Sequence, residues 1–328
     1  MRKMRKPVIS VVIPSRNRPA LLFRAIESVF SQTFKNFEII VVNDGSDEKF
    51  LPEYEGLPKK YGRKLKIINL VHYSRGHGPS YVINTGVSQS VGEICTFLDD
   101  DDYWIDTEHL QKMLDAFTRF EESDLYLANQ VAVEFAKQEG KVLWLGQLEA
   151  LVARVGLLRE KRVYQVDVNL LMKIDGFSHL NTTAVRRGLF DRIGGLDENI
   201  RWEGDHDFYL RLIDASRGIL FNPDIVAQHN IPDKTKLDNI TTATSFYQRM
   251  NSQLYMLNKN ALSASHGLIV KRARQHKVYA LKRIVEQLLL EKRYDDAIYF
   301  SSQALGMDAS WKWWIYHTGL LFQRLFKK

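Results

Sequence analysis

The sequence predicts an α/β fold in which a mainly parallel sheet is flanked by helices and followed by a helical C-terminal region. β-Branched runs at 8–13 and 37–42 each end in turn residues, and residues 19–30 between them carry the apolar spacing of a helix. Further strand and helix patterns alternate along the chain, as expected of a doubly wound sheet. Beyond His229 the pattern changes to long helices, so we expect the sheet to end near that residue.

The remaining elements of the α/β part continue this alternation. We expect strands at 65–71, 93–98, 125–134 and 179–185, and helices at 80–88, 107–120, 188–193 and 204–216. Thr107 has a side chain suited to cap the helix that it begins. Residues 137–173 show a mixed pattern without an interpretable motif, and their position suits an insertion that shapes a second binding surface.

The C-terminal part of the chain has helical character. Apolar residues within 246–257 recur at helical spacing, and residues 273–292 are basic with an apolar stripe. We therefore predict an α/β domain of residues 1–235 and a helical region of residues 236–328.

Composition limits the class of protein without selecting a function. The chain has 328 residues, of which 45% are hydrophobic and 26% charged, as in a globular protein with a sizeable core. Its net charge of +7 suits an anionic partner such as a nucleotide phosphate, an acidic lipid headgroup or a nucleic acid. The single cysteine, Cys95, lies in a predicted buried strand, which indicates a reducing compartment and a cytoplasmic location.

The last residues of the sequence, 311–328, combine tryptophans and aliphatic residues with flanking lysines and an arginine. This composition is typical of a helix that lies at a membrane interface. Packing of the same residues onto the preceding helices would explain it equally well. If the membrane interpretation holds, we expect a peripheral protein on the inner face of the cytoplasmic membrane and a lipid-linked acceptor.

Four consecutive aspartates, Asp99 to Asp102, directly follow the apolar run at 94–98. Like carboxylates repel each other unless a cation lies among them, and ligands of open α/β sheets collect at the carboxyl ends of the strands. Carboxylate oxygens prefer hard cations, so the run predicts a Mn²⁺ or Mg²⁺ site. Asp99 and Asp101 are alternate residues of an extended chain, so one carboxylate could reach a ribose while the other holds the metal.

Two other acidic positions have both a functional and a structural interpretation. The segment 43–47 follows the second strand, where Asp44 could bind a base or a ribose, but Asx-Gly sequences also form turns for backbone reasons alone. Asp205 falls in the first turn of a predicted helix, where acids commonly complement the helix dipole. His206 could likewise be an ordinary surface histidine.

Read in order, the motifs of the chain resemble those of the inverting family 2 glycosyltransferases with the GT-A fold. The resemblance runs from Val8 to about His229. The motifs that carry it are VISVVIP at 8–14 with Asn17 and Arg18, VNDGS at 42–46, NTG at 84–86, GE at 92–93, FLDDDD at 97–102, GGLDE at 194–198 and GDHDFYLR at 204–211.

This resemblance implies a role for each matching position. Asp205 would be the general base that deprotonates the acceptor hydroxyl. Asp101 would bind the divalent metal as part of an Asp-x-Asp motif, and His229 would help to hold the metal or the diphosphate. The expected donor-binding residues are Pro14, Asn17, Asp44 for the base, Asp99 for the ribose, and Asp100.

Two departures from the family pattern affect this transfer of roles. The sequence has Val82 and Ile83 before Asn84, where the family often has alanine and an arginine that reaches the nucleotide. The usual acidic pair at the catalytic helix is replaced by Gly204 and Asp205, so Glu203 competes with Asp205 as the base.

We therefore expect a metal-dependent inverting glycosyltransferase that acts on a nucleotide-diphosphate sugar and a saccharide or glycolipid acceptor in bacterial cell-surface polysaccharide synthesis. The alternative is a non-catalytic sugar-nucleotide-binding or membrane-docking scaffold with the same fold. Dehydrogenase and P-loop functions are excluded because Tyr81 stands where a dinucleotide fingerprint needs its third glycine and no Walker-type loop occurs. No nucleic-acid-binding module is recognisable.

Overall fold

The computed structural model describes residues 6–134, 140–142, 144–156, 163–231, 244–308 and 310–326. The chain divides into two compact units, Met1–Lys236 and Leu237–Lys328. The first unit is an α/β layer and the second is helical.

The described part of the first unit contains a ten-stranded sheet. Its strands are β1 (Ile9–Ser15), β2 (Phe37–Asn43), β3 (Leu65–Asn69), β4 (Ile94–Phe97), β5 (Tyr103–Trp104), β6 (Leu125–Glu134), β7 (Lys141–Val142), β8 (Tyr164–Val166), β9 (Thr183–Arg186) and β10 (Ile219–Ile231). The strand order is β3-β2-β1-β4-β9-β6-β10-β5, with β7 beside β6 and β8 beside β10. The predicted α/β fold class is confirmed.

The sheet is parallel where it holds the first motifs and mixed beyond them. Strands β3, β2, β1 and β4 run parallel to one another. Strand β9 then runs antiparallel between β4 and β6, whereas β6 and β10 are again parallel. Because the carboxyl ends of parallel strands share one edge, the loops that follow β1, β2 and β4 lie at the same edge of the sheet.

Helices cover the sheet of the first unit. They are α1 (Pro19–Phe30), α2 (Leu51–Tyr61), α3 (Pro79–Ser88), α4 (His109–Arg119), α5 (Gly146–Arg154), α6 (Val168–Leu171), α7 (Arg187–Arg192) and α8 (Gly204–Ala215). The apolar side chains of α1 and α4 are buried in one core cluster with those of β1 and β2.

Two local expectations were wrong. Thr107 does not cap α4. The side chain of Asp106 accepts the backbone N–H of Glu108 and forms a turn there, so the helix begins only at His109. The strand expected at 179–185 begins instead as a 3-10 turn over Leu180–Thr182, where the side chain of His179 accepts the backbone N–H of Asn181.

The second unit consists, where described, of helices α9 (Phe246–Ser263), α10 (Gly267–Leu290), α11 (Tyr294–Met307) and α12 (Trp311–Phe326). Helix α9 begins with a capping box between Ser245 and Gln248. Met250, Val285 and Leu320 belong to an apolar cluster that joins these helices. Among the described residues, every helix falls short of the length and apolarity that crossing a bilayer requires.

Candidate active site

The loop after β2 folds as a turn that also holds a carboxylate. Asn43 accepts hydrogen bonds from the backbone and side chain of Ser46, as the structural interpretation of this segment expects. The neighbouring Asp44 is nevertheless not a simple turn residue. Its Oδ1 accepts the backbone N–H of His77 at 2.8 Å and lies 2.7 Å from the Nδ1 of the same histidine.

Residues 73–81, which contact Asp44 through His77, bring three aromatic rings together. The ring of His77 stacks on Tyr81 at 5.0 Å and meets Tyr73 edge-on at 4.7 Å. Gly76, at φ 61°, permits this approach, because a Cβ atom there would lie 2.3 Å from the carboxylate of Asp44. Asp44 therefore lies beside stacked rings, an environment suited to a nucleotide base.

Asn17 and Pro14 lie at the end of β1, next to this turn. Asn17 has φ 56°, and its side-chain oxygen accepts the backbone N–H of Asp47 at 2.8 Å. Its own backbone N–H donates to the hydroxyl of Ser46. Asn17 thus joins the loops after β1 and β2, while Pro14 is a half-buried member of β1.

The acidic run after β4 contains an internal counter-ion. Arg18 lies 2.6 Å from a carboxylate oxygen of Asp100 and 2.8 Å from one of Asp101. Although burial lowers it, the charges of Asp100 and Asp101 raise the pKa of Arg18. Burial raises the pKa of Asp100 to about 7, against the opposing charge of Arg18. One arginine therefore neutralises part of the acidic run.

Asp102 is the most heavily hydrogen-bonded of the four aspartates. Its Oδ2 accepts the side-chain amide of Asn181 at 2.6 Å and lies 2.7 Å from Nδ1 of His229, while its Oδ1 accepts the backbone N–H of Asn230 at 2.7 Å. Burial lowers the pKa of His229, but the hydrogen bond and charge of Asp102 outweigh it and raise that pKa overall. A carboxylate at Nδ1 leaves Nε2 of His229 as the nitrogen for a metal.

Asp99 and Asp205 are brought together by a histidine. Nε2 of His179 lies 3.8 Å from Asp99 and 3.9 Å from Asp205, so the acidic run and the start of α8 share one pocket. Burial, followed by repulsion from Asp102 and Asp101, raises the pKa of Asp99 well above its usual range. Burial lowers the pKa of His179, which favours the neutral ring.

The start of α8 is held firmly in place. Asp207, in the first turn of the helix, pairs with Arg211 at 2.8 Å, and Arg211 also donates to the carbonyls of Ile193 and Gly195. Asp205 lies in the first turn, where one of its oxygens accepts the N–H of His206, whereas Glu203 stands at the N-cap with φ 62°. The ring of His206 stacks on a phenylalanine, in keeping with a structural role.

The acidic pocket has a donor set that suits a divalent cation. Ligand atoms of Asp99, Asp102 and His179 all lie within 4.8 Å of one another. Two carboxylates and an imidazole are acceptable to Mn²⁺, and the raised pKa of Asp99 reflects buried like charges that a cation would relieve. This grouping differs from the expected pair of Asp101 and His229, because Asp101 is held by Arg18.

Two residues at this pocket were missed by sequence reasoning. His179 was treated only as the start of a strand, and Trp144 lies in the uninterpreted segment. The Trp144 ring meets His179 edge-on at 5.6 Å and His229 at 5.2 Å. Gly176 allows the tryptophan loop to approach, because a Cβ atom there would lie 1.6 Å from the carbonyl oxygen of Trp144. No spacing in the sequence links these residues.

Comparison with proteins of known sequence gives the family. Residues 10–193 match the family model described as glycosyl transferase family 2. An uncharacterized glycosyltransferase of Rickettsia typhi is 24% identical over 227 residues, which cover 69% of this chain and 65% of the relative. The GalNAc(5)-diNAcBac-PP-undecaprenol beta-1,3-glucosyltransferase of Campylobacter jejuni is 41% identical over 96 residues, or 29% of this chain and 30% of that protein. The chain thus spans less than two thirds of the length of either relative.

Solved structures show the same fold. TarS of S. aureus, in complex with UDP-GlcNAc, has a TM-score of 0.63 at 18% identity and matches over 91% of this chain and 81% of its own. The mannosyltransferase PcManGT of Pyrobaculum calidifontis, in complex with GDP-Man and Mn²⁺, has a TM-score of 0.59 at 13% identity, over 97% and 85% of the two chains. The family match covers more than half of the sequence, and the chain therefore belongs to glycosyl transferase family 2.

Proposed function

We propose that the protein is a metal-dependent, inverting glycosyltransferase that moves a sugar from a nucleotide diphosphate to a saccharide or lipid-linked glycan acceptor. The observation that carries this proposal is the shared pocket of Asp99 and Asp205, which His179 connects through contacts of 3.8 Å and 3.9 Å. One acidic group can thereby serve the donor while another serves the acceptor.

The donor would lie across the edge formed by the loops after β1, β2 and β4. Asp44, fixed beside the rings of His77 and Tyr81, would accept hydrogen bonds from the base. Asp99 would accept a ribose hydroxyl. Asn17 and Pro14 would support the base loop, since Asn17 bonds directly to the turn that carries Asp44.

Mn²⁺ or Mg²⁺ would be held in the pocket where Asp99, Asp102 and His179 group their ligand atoms. His229, which lies beside Asp102, would join them, as would Asp101 once Arg18 releases it. When bound, the cation supplies positive charge that stabilises the departing diphosphate. In the absence of a cation, Arg18 neutralises part of the acidic run through its contacts with Asp100 and Asp101. Asp102 orients His229 through its Nδ1.

Asp205 would act as the general base. It would take the proton from the acceptor hydroxyl as that oxygen attacks the anomeric carbon from the face opposite the diphosphate, which inverts the configuration without a covalent intermediate. The hydrogen bond from the N–H of His206 fixes one carboxylate oxygen and leaves the other for the acceptor. Trp144, whose ring contacts those of His179 and His229, would form a wall of the pocket and exclude water.

The acceptor is inferred from relatives. The name of the Campylobacter jejuni relative describes transfer onto an undecaprenol-linked saccharide, and we propose the same acceptor class and a role in cell-surface polysaccharide synthesis for this chain. A cytoplasmic reaction agrees with the buried thiol of Cys95.

Calorimetry of the full chain against a panel of nucleotide sugars, with and without Mn²⁺, tests the proposal. We expect one nucleotide sugar to bind with Mn²⁺ and at least tenfold more weakly without it. NMR of the transferred product should show inverted anomeric configuration. Failure of every nucleotide sugar to bind in either condition would contradict the proposal.

A further inference from the structure

The net positive charge of the chain comes from its second unit. Residues 237–328 contain 14 Lys and Arg against 6 Asp and Glu, whereas residues 1–236 contain 32 against 33. The second unit therefore carries a net charge of +8 and the first a net charge of −1. An anionic partner is attracted to the helical unit, separately from any anion that binds at the acidic pocket.

Helix α12 exposes large apolar side chains along one side. Trp311, Trp314, Ile315 and Phe322 are between 55% and 69% exposed. They stand three, four and eleven residues from the first, a spacing that places them on the same side of a helix. Exposure of neighbouring tryptophans and aliphatic groups in this way marks an interaction surface rather than scattered surface residues.

The opposite side of α12 is already used for packing. The indole N–H of Trp313 donates to the carbonyl of Ser301 at 3.1 Å, and Nδ1 of His317 lies 3.0 Å from the hydroxyl of the same serine. Leu320 is buried in the apolar cluster of the unit. The helix is thus held through its packed side, and the stripe of Trp311, Trp314, Ile315 and Phe322 remains outside.

Helix α10 supplies much of the charge. It contains six Lys and Arg and a single acid, Glu286. Lys271, Arg274 and Arg283 are exposed, as is the ring of Tyr279. A spacing of three residues makes Lys271 and Arg274 neighbours on the helix surface, and a spacing of four makes Tyr279 a neighbour of Arg283. Basic side chains beside interfacial aromatic rings are the combination that anionic lipid surfaces attract.

We infer that the helical unit docks on the surface of an anionic lipid bilayer, with the apolar stripe of α12 inserted among the headgroups and the basic side chains over the acidic lipids. A second copy of the chain is a poorer occupant, because two units of charge +8 repel each other. A nucleic acid would leave Ile315 and Phe322 without apolar partners. This inference is independent of the transfer reaction and goes beyond it.

Flotation of the full-length protein with vesicles tests the inference. Vesicles of phosphatidylcholine, alone or with about one third phosphatidylglycerol, are compared at low and high salt. We expect binding to the anionic vesicles that salt weakens, and at least a tenfold loss of binding in the Trp314→Ser/Phe322→Ser double variant. Brominated lipids should quench tryptophan fluorescence of the wild-type protein.

The matched control is Leu21→Ser/Ile105→Ser, which removes two exposed apolar side chains from the first unit and should bind as the wild-type protein does. An unchanged melting temperature shows that each variant is folded. Equal binding to neutral and anionic vesicles overturns the inference, as does undiminished binding of the α12 double variant. If light scattering shows that the wild-type protein is a dimer and the α12 double variant is not, while vesicle binding is unchanged, the stripe contacts a second copy and the inference is also overturned.

Discussion

In the first unit, charged side chains lie buried around the end of β4, whereas in the second unit large apolar side chains of α12 lie exposed. Asp100 and Asp102 are each 1% exposed, while Trp311 is 69% exposed. Both arrangements cost free energy in isolation, one through desolvated charge and the other through hydrated apolar surface. The two units therefore support different proposals: a polar ligand with its cation at the buried charges of the first, and an anionic lipid surface at the exposed apolar side chains of the second.

The sharpest challenge to this view of the first unit is Asp205→Asn. If Asp205 is the base, transfer should fall by about 10²–10⁴-fold, because the acceptor proton has no recipient. The dissociation constant of the donor should stay nearly unchanged, since the proposed role of Asp205 is to contact the acceptor hydroxyl and not the nucleotide. Steady-state kinetics and donor calorimetry measure the two effects.

Glu203→Gln is the matched comparison for that variant, because Glu203 precedes α8 and is the rival base. Its effect on transfer should be small. A large loss with Glu203→Gln and near-normal transfer with Asp205→Asn would exchange the two roles.

Asp102→Asn tests whether buried charge is structural as well as functional. The variant keeps the shape of the side chain but removes the carboxylate that holds Asn181 and His229. Breaking a buried charged pair in this way should reduce the free energy of unfolding by about 3 kcal/mol. Urea denaturation measures this change, and Asp115→Asn, at an exposed position of α4, is a control that should change stability little. Equal stability of both variants would contradict the role of Asp102.

His109 provides a pH test of burial in the same unit. It is fully buried, neither ring nitrogen has a hydrogen-bond partner among the described residues, and burial lowers its pKa to about 3. Because the folded pKa lies below the unfolded value, stability is complete above that value and is lost as the pH falls below it. At pH 5 the loss should be about 2 kcal/mol relative to pH 8, calculated from an unfolded pKa of about 6.5.

His109→Phe should remove this part of the acid sensitivity, since phenylalanine can pack against Trp104 without titrating. Denaturation curves of both proteins between pH 8 and pH 5 measure the difference. The same loss of stability in wild-type and variant would show that other groups cause it.

Arg18→Gln has the smallest expected effect and sharpens the account of the acidic run. Arg18 repels a cation in the pocket and occupies Asp101, so its removal should strengthen Mn²⁺ binding about tenfold, or about 1.4 kcal/mol. Electron paramagnetic resonance of free Mn²⁺ measures the affinity. Arg24→Gln, which lies over Tyr103, is the control; weaker Mn²⁺ binding in Arg18→Gln would mean that the arginine supports the site.

Local sequence signals predicted the frame of the fold well. Helix α1 and strand β6 have the predicted bounds, because α1 starts at a proline with apolar residues at helical spacing, and β6 is a mainly apolar run of strand length. Helix α2 was not predicted, since it carries Pro58 in its interior and has little apolar character. The antiparallel β9 was also not recognisable as such, because strand direction depends on the path of the chain and not on composition.

The site was predictable only where its residues form motifs. Asp99 to Asp102 and Asp205 stood out through their position at element ends. The contact of Arg18 with Asp101 joins residues 83 positions apart, and that of His179 with Asp205 depends on how two loops fold. Long-range contacts of this kind are set by tertiary packing, and a single sequence carries no local signal for them.

The backbone contact between Gly176 and Trp144 has a consequence for engineering. The loop that carries the tryptophan is wedged against a position that tolerates no side chain, so the two segments form an inseparable pair. A transplant of residues 144–156 into a related enzyme, aimed at changing which acceptor it uses, will seat the indole correctly only if the recipient also has glycine at the facing position.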